Sequence, residues 1–500
     1  MSFLPALFTA ILHVLFMGWT ILHPVVNQSP PPANSTSSES DLGYQQRPSG
    51  YMVYASTRVI DSGYWHTSGN LILDRQGRSI RIQGINWYGF ETTRKVPGGL
   101  AVQDYRAILE TIRSEGFNTV RIPFSNEMIR NPVIPQAISF ASDRGQAINQ
   151  PLRGLNSLQI LDRIVEHAGK IGLKIILDNH RSEAGNSAED NGLWYTADFP
   201  ESAWIADWQM LARRYSGNST VIGMDLRNEP HNATSGGSCW AGCGPAHDWH
   251  LAAQRAGDAV LAINPHLIVF VEGTDVVNGD WYWWGGNLQG VLFAPVRLRV
   301  PNQLVYSAHE YGPQEYAQKW FKGATSSSLM AVFDRHWDFI SRNKIAPVWI
   351  GEFGTSNRTQ DITDTTPGTE GQWFQALVSY LDLNSEVGWT LWALNGEDPD
   401  GLLDPDYATP ANTLKMTTLS RIMNSQTRPT ALPLQRPAGS QLIGSHQAPA
   451  PNLPRHSTRA TGAVPAYRPH LPTSVLHGQY NDGSARPPLH SQVFAEADGN

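Results

Sequence analysis

The chain has 500 residues, enough for two or three average domains or for one large barrel with tails. A hydrophobic fraction of 41% and an aromatic fraction of 10% describe a globular chain with a sizeable core, not a wholly disordered one. The formal net charge of −7, with no basic stripe along the chain, argues against nucleic acid as a partner.

The first segment is apolar. From Phe3 to Leu22 there is no Lys, Arg, Asp or Glu, and Pro24 follows. Residues 1–26 are therefore expected to be a secretory signal or an uncleaved membrane anchor. Either way the rest of the chain is expected outside the cell, secreted or tethered. Five N-x-[ST] sequons, at Asn27, Asn34, Asn218, Asn232 and Asn357, fit that compartment as glycosylation sites. So does "CWAGC", where Cys239 and Cys243 are expected to pair and pin a small loop. Two cysteines alone do not make a structural zinc site. Residues 27–50 are rich in Pro, Ser and Thr and read as a flexible linker.

Within residues 51–424, strand-like runs alternate with helical periodicity. "IRIQGINWYGFE" reads as a strand. "VQDYRAILETIRSEG" then sets Tyr105, Ile108, Leu109 and Ile112 at helical spacing, and Gly116 stops that helix before the strand "FNTVRIPF". "LNSLQILDRIVEHAGKIG" places Leu155, Leu158, Leu161, Ile164, Val165 and Ala168 on one face and leads into "LKIILDNH". The later strands are "VIGMDLRNE", "HLIVFVEG", "QLVYSAHEY", "APVWIGEFG" and "GWTLWALN". These eight runs are apolar throughout, the mark of parallel strands covered by helices. The expected fold class is α/β, a (β/α)8 TIM barrel between disordered extensions. No G-x-G-x-x-G follows a strand, so neither a dinucleotide fold nor a cofactor is expected. Such a barrel is expected to be sufficient as a monomer. The last segment, residues 425–500, holds 11 of the 34 prolines and no Trp, and its six arginines face Asp482, Glu496 and Asp498. It reads as a disordered tail.

Several strands end on polar or aromatic side chains. Arg121 ends "NTVR", His180 ends "ILDNH", and Asn228 and Glu229 end "DLRNE". His309 and Tyr311 end "YSAHEY", Glu352 sits in "WIGEF" and Trp392 in "GWTLW". A single such residue is more often packed than functional, but a barrel gathers all its C-terminal strand ends at one mouth. Two glutamates there have a plain use in glycoside hydrolysis, which needs one acid for the leaving oxygen and one carboxylate opposite. Arg121 would keep Glu352 ionised and aimed, Tyr311 could donate to it, and Asn228 could hold a sugar 2-hydroxyl. His180 and His309 could orient substrate hydroxyls, and Trp392 could lie under a sugar ring. Asp178 and Asp225, inside strands, read as buried hydrogen-bonding partners.

Among seventeen tryptophans, Trp87, Trp194, Trp240, Trp283, Trp284 and Trp320 are candidates for sugar stacking, with core packing at least as good an account of each. Trp283 and Trp284, beside "GGN" in an expected loop, are the strongest of them. A metal-dependent hydrolase is a weaker reading, since no H-E-x-x-H spacing occurs and no metal is expected. A non-catalytic sugar-binding barrel is weaker too, since both glutamates are present.

The motifs "NTVRIPF", "DNH", "RNEPH", "SAHEY", "WIGEFG" and "WTLW", in this order, resemble glycoside hydrolase family 5. The resemblance is to the endo-β-1,4-glucanase branch typified by secreted bacterial enzymes, and "GINWYGFET", "GLWYT" and "WWGGNLQG" extend it over residues 63–422. It implies a retaining hydrolase with Glu229 as acid/base and Glu352 as nucleophile, carboxyl groups about 5–5.5 Å apart. It implies that Arg121, His180, Asn228, His309, Tyr311 and Trp392 fill the other active-site positions. The implied substrate is a β-glucan polysaccharide or oligosaccharide of the cellulose type, with β-mannan, xyloglucan and mixed-linkage glucan as alternatives. The chain departs from the pattern at Thr93 and Ala184, where relatives often carry a second disulfide, and at Ala101, where they place an aromatic.

Overall fold

The structure, a computed structural model, describes residues 63–234 and 236–423. The apolar N-terminal segment, the Pro/Ser/Thr-rich linker with Asn27 and Asn34, and the Pro-rich tail lie outside the described residues. Among the described residues no helix is long and apolar enough to cross a membrane.

Eight parallel strands close into a barrel. They are β1 (Gln83–Asn86), β2 (Thr119–Ser125), β3 (Lys174–Arg181), β4 (Val221–Asp225), β5 (Ile268–Glu272), β6 (Leu304–His309), β7 (Val348–Phe353) and β8 (Gly388–Leu391). Each pairs with its neighbour in sequence, and β8 returns to β1, so every backbone edge is satisfied. All eight expected strands are present. Their residues are buried almost throughout because helices cover the outside while side chains fill the inside.

The first helices show how the sequence builds the outer ring. In α1 (Tyr105–Ser114), Asp104 caps the start by accepting from the Arg106 N–H, and Tyr105, Ile108, Leu109 and Ile112 are the buried face. Gly116 then takes a φ of +101°, a left-handed conformation that glycine adopts without steric penalty, and the chain turns into β2. In α2 (Ser157–Lys170), Asn156 and Gln159 cap each other reciprocally. Its buried face runs through Ile160, Leu161, Ile164, Val165 and Ala168; the expected Leu155 and Leu158 are half-buried.

A three-stranded antiparallel sheet, His66–Ser68, Leu71–Leu73 and Ser79–Ile80, precedes the barrel. Its Ile72, with Trp65 just before its first strand, packs with Ile82, Ile176, Ile222, Ile268, Val305 and Trp349, which lie at or near the starts of barrel strands. The N-terminal end of the barrel is thus plugged by apolar side chains. Polar groups gather at the other end.

Candidate active site

Arg121 on β2 stands at the centre and is wholly buried. Its Nη1 donates to Glu352 Oε1 at 2.5 Å and to Asn86 Oδ1 at 3.1 Å. Its Nε donates to Asp225 Oδ2 at 2.9 Å, and its Nη2 to Asn228 Oδ1 at 3.1 Å and Glu272 Oε1 at 3.3 Å. Asp178 Oδ1 lies 3.2 Å away. Burial alone would depress the guanidinium, but Asp178, Asp225, Glu352 and Glu272 reverse that and hold it well above its ordinary value. Asp178 and Asp225, expected as buried partners, are the partners of this one cation.

Glu352 on β7 is the carboxylate this cation addresses. Its second oxygen, Oε2, accepts from the Tyr311 hydroxyl at 2.8 Å. Burial pushes Glu352 up, yet His309, Arg121, His180 and the Tyr311 hydroxyl outweigh it and hold the carboxyl at about 2. His309 pairs across from Glu352 because β6 shifts register between Ala308 and His309, an irregularity of the kind that re-aims side chains at barrel rims.

Glu229 arrives differently. The strand expected to run to it, "VIGMDLRNE", stops at Asp225, four residues short. Glu229 takes a φ of +49°, the left-handed region, immediately before Pro230. Leaving the ladder there turns the side chain into the mouth, where 17% of it is exposed against 5% for Glu352. Its Oε1 is 3.0 Å from His309 Nδ1. Ligating atoms of Glu229, His309 and Glu352 all lie within 4.8 Å of one another. The same three could offer atoms to a cation, but the guanidinium 2.5 Å from Glu352 puts a fixed positive charge beside that position.

His309 is wholly buried, with Nε2 3.1 Å from Glu272 Oε1 and Nδ1 3.6 Å from Glu352 Oε2. Burial lowers its proton affinity, but Glu272 and Glu352 raise it well above the ordinary histidine value. His180 likewise faces Asp178, Nδ1 to Oδ2 at 2.7 Å, and is raised against its burial by that charge.

Trp392, just past β8, is half-buried, its ring parallel to Tyr88 at 5.2 Å and to His180 at 5.6 Å between centroids. Trp284 is half-buried and stacks on His231 at 3.7 Å. Trp283 is 6% exposed, packed against Tyr311, Trp320 and Phe321. Trp87, Trp194 and Trp240 are buried core residues, and Trp320 is half-buried beside Trp283. Cys239 and Cys243 form a disulfide. Of the three sequons described, Asn232 is exposed, while Asn218 and Asn357 are half-buried. Thr93 and Ala101 are exposed and Ala184 is half-buried.

Asn86, Tyr88 and Glu272 belong to this site and were not singled out from the sequence. Glu272 carried the same signal as the others, a charged residue closing the apolar run "HLIVFVEG". Asn86 and Tyr88 sit inside or just past an apolar run and have no such mark.

Residues 73–398 match the family described as Cellulase (glycosyl hydrolase family 5). An endoglucanase of Paenibacillus polymyxa is 43% identical over 380 residues, 75% of this chain and 90% of that protein. The major extracellular endoglucanase of Xanthomonas campestris pv. campestris is 33% identical over 68% of this chain and 67% of its own length. Among solved structures, an endocellulase from Pyrococcus horikoshii in complex with cellotetraose is 33% identical, covering 73% of this chain and all of that one with a TM-score of 0.65. With the barrel closed and two glutamates facing each other at its mouth, these matches make the chain a member of glycosyl hydrolase family 5, the cellulase family.

Proposed function

We propose that the chain is a retaining endo-β-1,4-glucanase in which Glu352 is the nucleophile and Glu229 the acid/base. The observation that carries this is the approach of the two carboxylates, atoms within 4.8 Å, with the cation on Glu352 and not on Glu229. That spacing suits a covalent intermediate, since an inverting pair stands about 6.5–9.5 Å apart to admit a water.

In the first half-reaction a Glu352 oxygen bonds to C1 of the sugar while the bond from C1 to the glycosidic oxygen breaks. Glu229 gives its proton to that departing oxygen. In the second, Glu229 takes a proton from water, the water oxygen bonds to C1, and the ester to Glu352 breaks. Arg121 and Tyr311 keep Glu352 charged and oriented for the attack and stabilise it again as it leaves. Asn228, whose amide oxygen is occupied by Arg121, has its amide N–H group left for the sugar 2-hydroxyl. His180 and Trp392 form the polar and apolar sides of a subsite, with Trp284 a second ring surface. Relatives named endoglucanase and endocellulase support β-1,4-glucan as the substrate.

The domain boundaries and the secreted or anchored state belong to the same proposal. The apolar residues 1–26, the exposed sequon at Asn232, the disulfide and an extracellular relative support a chain that leaves the cell.

Reducing-sugar release from carboxymethyl-cellulose, mixed-linkage β-glucan, xyloglucan and β-mannan tests the reading. Activity is expected on the first two, with Glu352→Gln reducing it by on the order of 10⁴-fold or more. Activity confined to mannan or xyloglucan would overturn the substrate, and undiminished hydrolysis by Glu352→Gln would overturn the nucleophile.

A further inference from the structure

Glu229 is held in a backbone conformation that its own chemistry does not favour. A non-glycine residue in the left-handed region is sterically disfavoured, and it persists where surrounding groups fix it. Two contacts fix this one. Its carbonyl accepts from His231 Nδ1 at 2.7 Å, and its N–H donates to Glu272 Oε2 at 2.7 Å.

Glu272, the last residue of β5, is wholly buried and reaches Glu229 twice. The first path is the main-chain bond just described. The second runs through His309, whose Nε2 is 3.1 Å from Glu272 Oε1 and whose Nδ1 is 3.0 Å from Glu229 Oε1. Main chain, Glu272, imidazole and Glu229 carboxyl thus form a closed ring of contacts. Two N–H donors hold Glu272, from Glu229 and Arg121, and His309 Nε2 stands beside the same carboxylate at ion-pair distance. Its Nδ1, on the other side of the ring, meets the Glu229 carboxyl itself. The loop bearing Trp283 and Trp284 closes over this ring at Gly285. A Cβ there would stand 2.1 Å from Glu272 Oε2 and 3.3 Å from Glu229 Cα, so only glycine lets the loop lie so close.

We infer that Glu272 is the positioning residue for the acid/base, aiming the Glu229 carboxyl through both its main chain and His309. This rests on the reading of Glu229 as acid/base. Neither contact is made with substrate, and without Glu272 the Arg121 guanidinium keeps its bonds to Asn86, Asp225, Asn228 and Glu352, so the larger effect of losing Glu272 is expected in the step where Glu229 gives up its proton.

The test compares kcat/KM for a cello-oligosaccharide with that for a dinitrophenyl β-cellobioside, whose leaving group needs no proton. Both are measured with the full chain, Glu272→Gln and Glu229→Gln. For Glu272→Gln the expected loss is about 10²-fold on the oligosaccharide and less than tenfold on the aryl substrate, the same direction as Glu229→Gln. Equal losses on both substrates, or no loss on either, would overturn the inference. If Glu272→Gln is not recovered folded, Glu272→Asp takes its place, keeping the charge but too short to span both contacts, with the same outcomes. If Glu229→Gln itself lacks the leaving-group dependence, it is the acid/base reading that fails; if Glu229→Gln shows it and the Glu272 variants do not, only the role of Glu272 fails.

Discussion

Two carboxylates near the barrel mouth, Glu352 and Glu310, are both buried, and their surroundings send them in opposite directions. Glu352 sits among Arg121, His309 and His180 and is held at about 2. Glu310 lies between His309 and Tyr311 in sequence, but its side chain is held by the Tyr282 hydroxyl, Trp373 Nε1 at 3.0 Å and Trp337 Nε1 at 3.3 Å. No cation is among those donors, and burial pushes Glu310 up to about 7 despite them. Burial is common to both; the difference is whether the donors carry charge. A nucleophile must be ionised whenever substrate arrives, so its site is built around a guanidinium. Glu310 instead serves as an acceptor for one phenol and two indoles, anchoring the segment from which His309 and Tyr311 reach the two glutamates.

Removing the cation should break the contrast most severely. Arg121→Met leaves Asp178, Asp225, Glu272 and Glu352 buried with their common partner gone, and a loss of about 3–5 kcal/mol is expected. Urea unfolding of the purified variant measures it, and a midpoint equal to that of the native chain would contradict the central place given to Arg121.

Removing the neutral donor from Glu352 is gentler. Tyr311→Phe takes away one hydrogen bond to a charged group, about 1.5–3 kcal/mol, so kcat/KM on soluble β-glucan should fall about 10- to 10²-fold with folding intact. A loss as large as that of Glu352→Gln would mean that the phenol, not the cation, keeps Glu352 competent.

The smallest effect concerns pH. Glu352, held below the ordinary value of 4.5, contributes stability above that pH that is lost as pH falls through about 2. Glu310, held above 4.5, has the opposite sign, and stability is lost as pH rises from 4.5 through about 7. Glu310→Gln removes that loss, so the variant should gain on the native chain in denaturation midpoint as pH is raised across this window. A difference that stays flat with pH would show that Glu310 is not held up by burial.

The barrel was legible because apolar strands and amphipathic helices follow periodicities that any reader of the sequence can count, as in Tyr105, Ile108, Leu109 and Ile112 on α1. The mouth was legible because polar residues at strand ends interrupt those runs. What remained hidden has other causes. That Glu229 leaves β4 and turns left-handed has no composition signal, because the conformation is held in part by Glu272, 43 residues further along the chain, together with the nearby His231. Trp283 and Trp284 are adjacent and chemically identical, yet one packs inside an aromatic cluster and the other stacks half-buried on His231. Nothing local distinguishes them. Glu310 reads in sequence as one more charged residue at a strand end, and only its three aromatic donors separate it from the groups that face substrate.

The most direct test is to trap the intermediate. The full chain is incubated with a dinitrophenyl 2-deoxy-2-fluoro-β-cellobioside, whose fluorine slows both half-reactions while its good leaving group keeps the first fast enough for the intermediate to accumulate. Digestion and mass spectrometry then locate the sugar. One fluorocellobiosyl group per chain is expected, esterified to Glu352, with Glu229 and Glu310 unlabelled. A label on Glu229 or Glu310, or full hydrolysis of the native substrate by a chain labelled on Glu352, would contradict it.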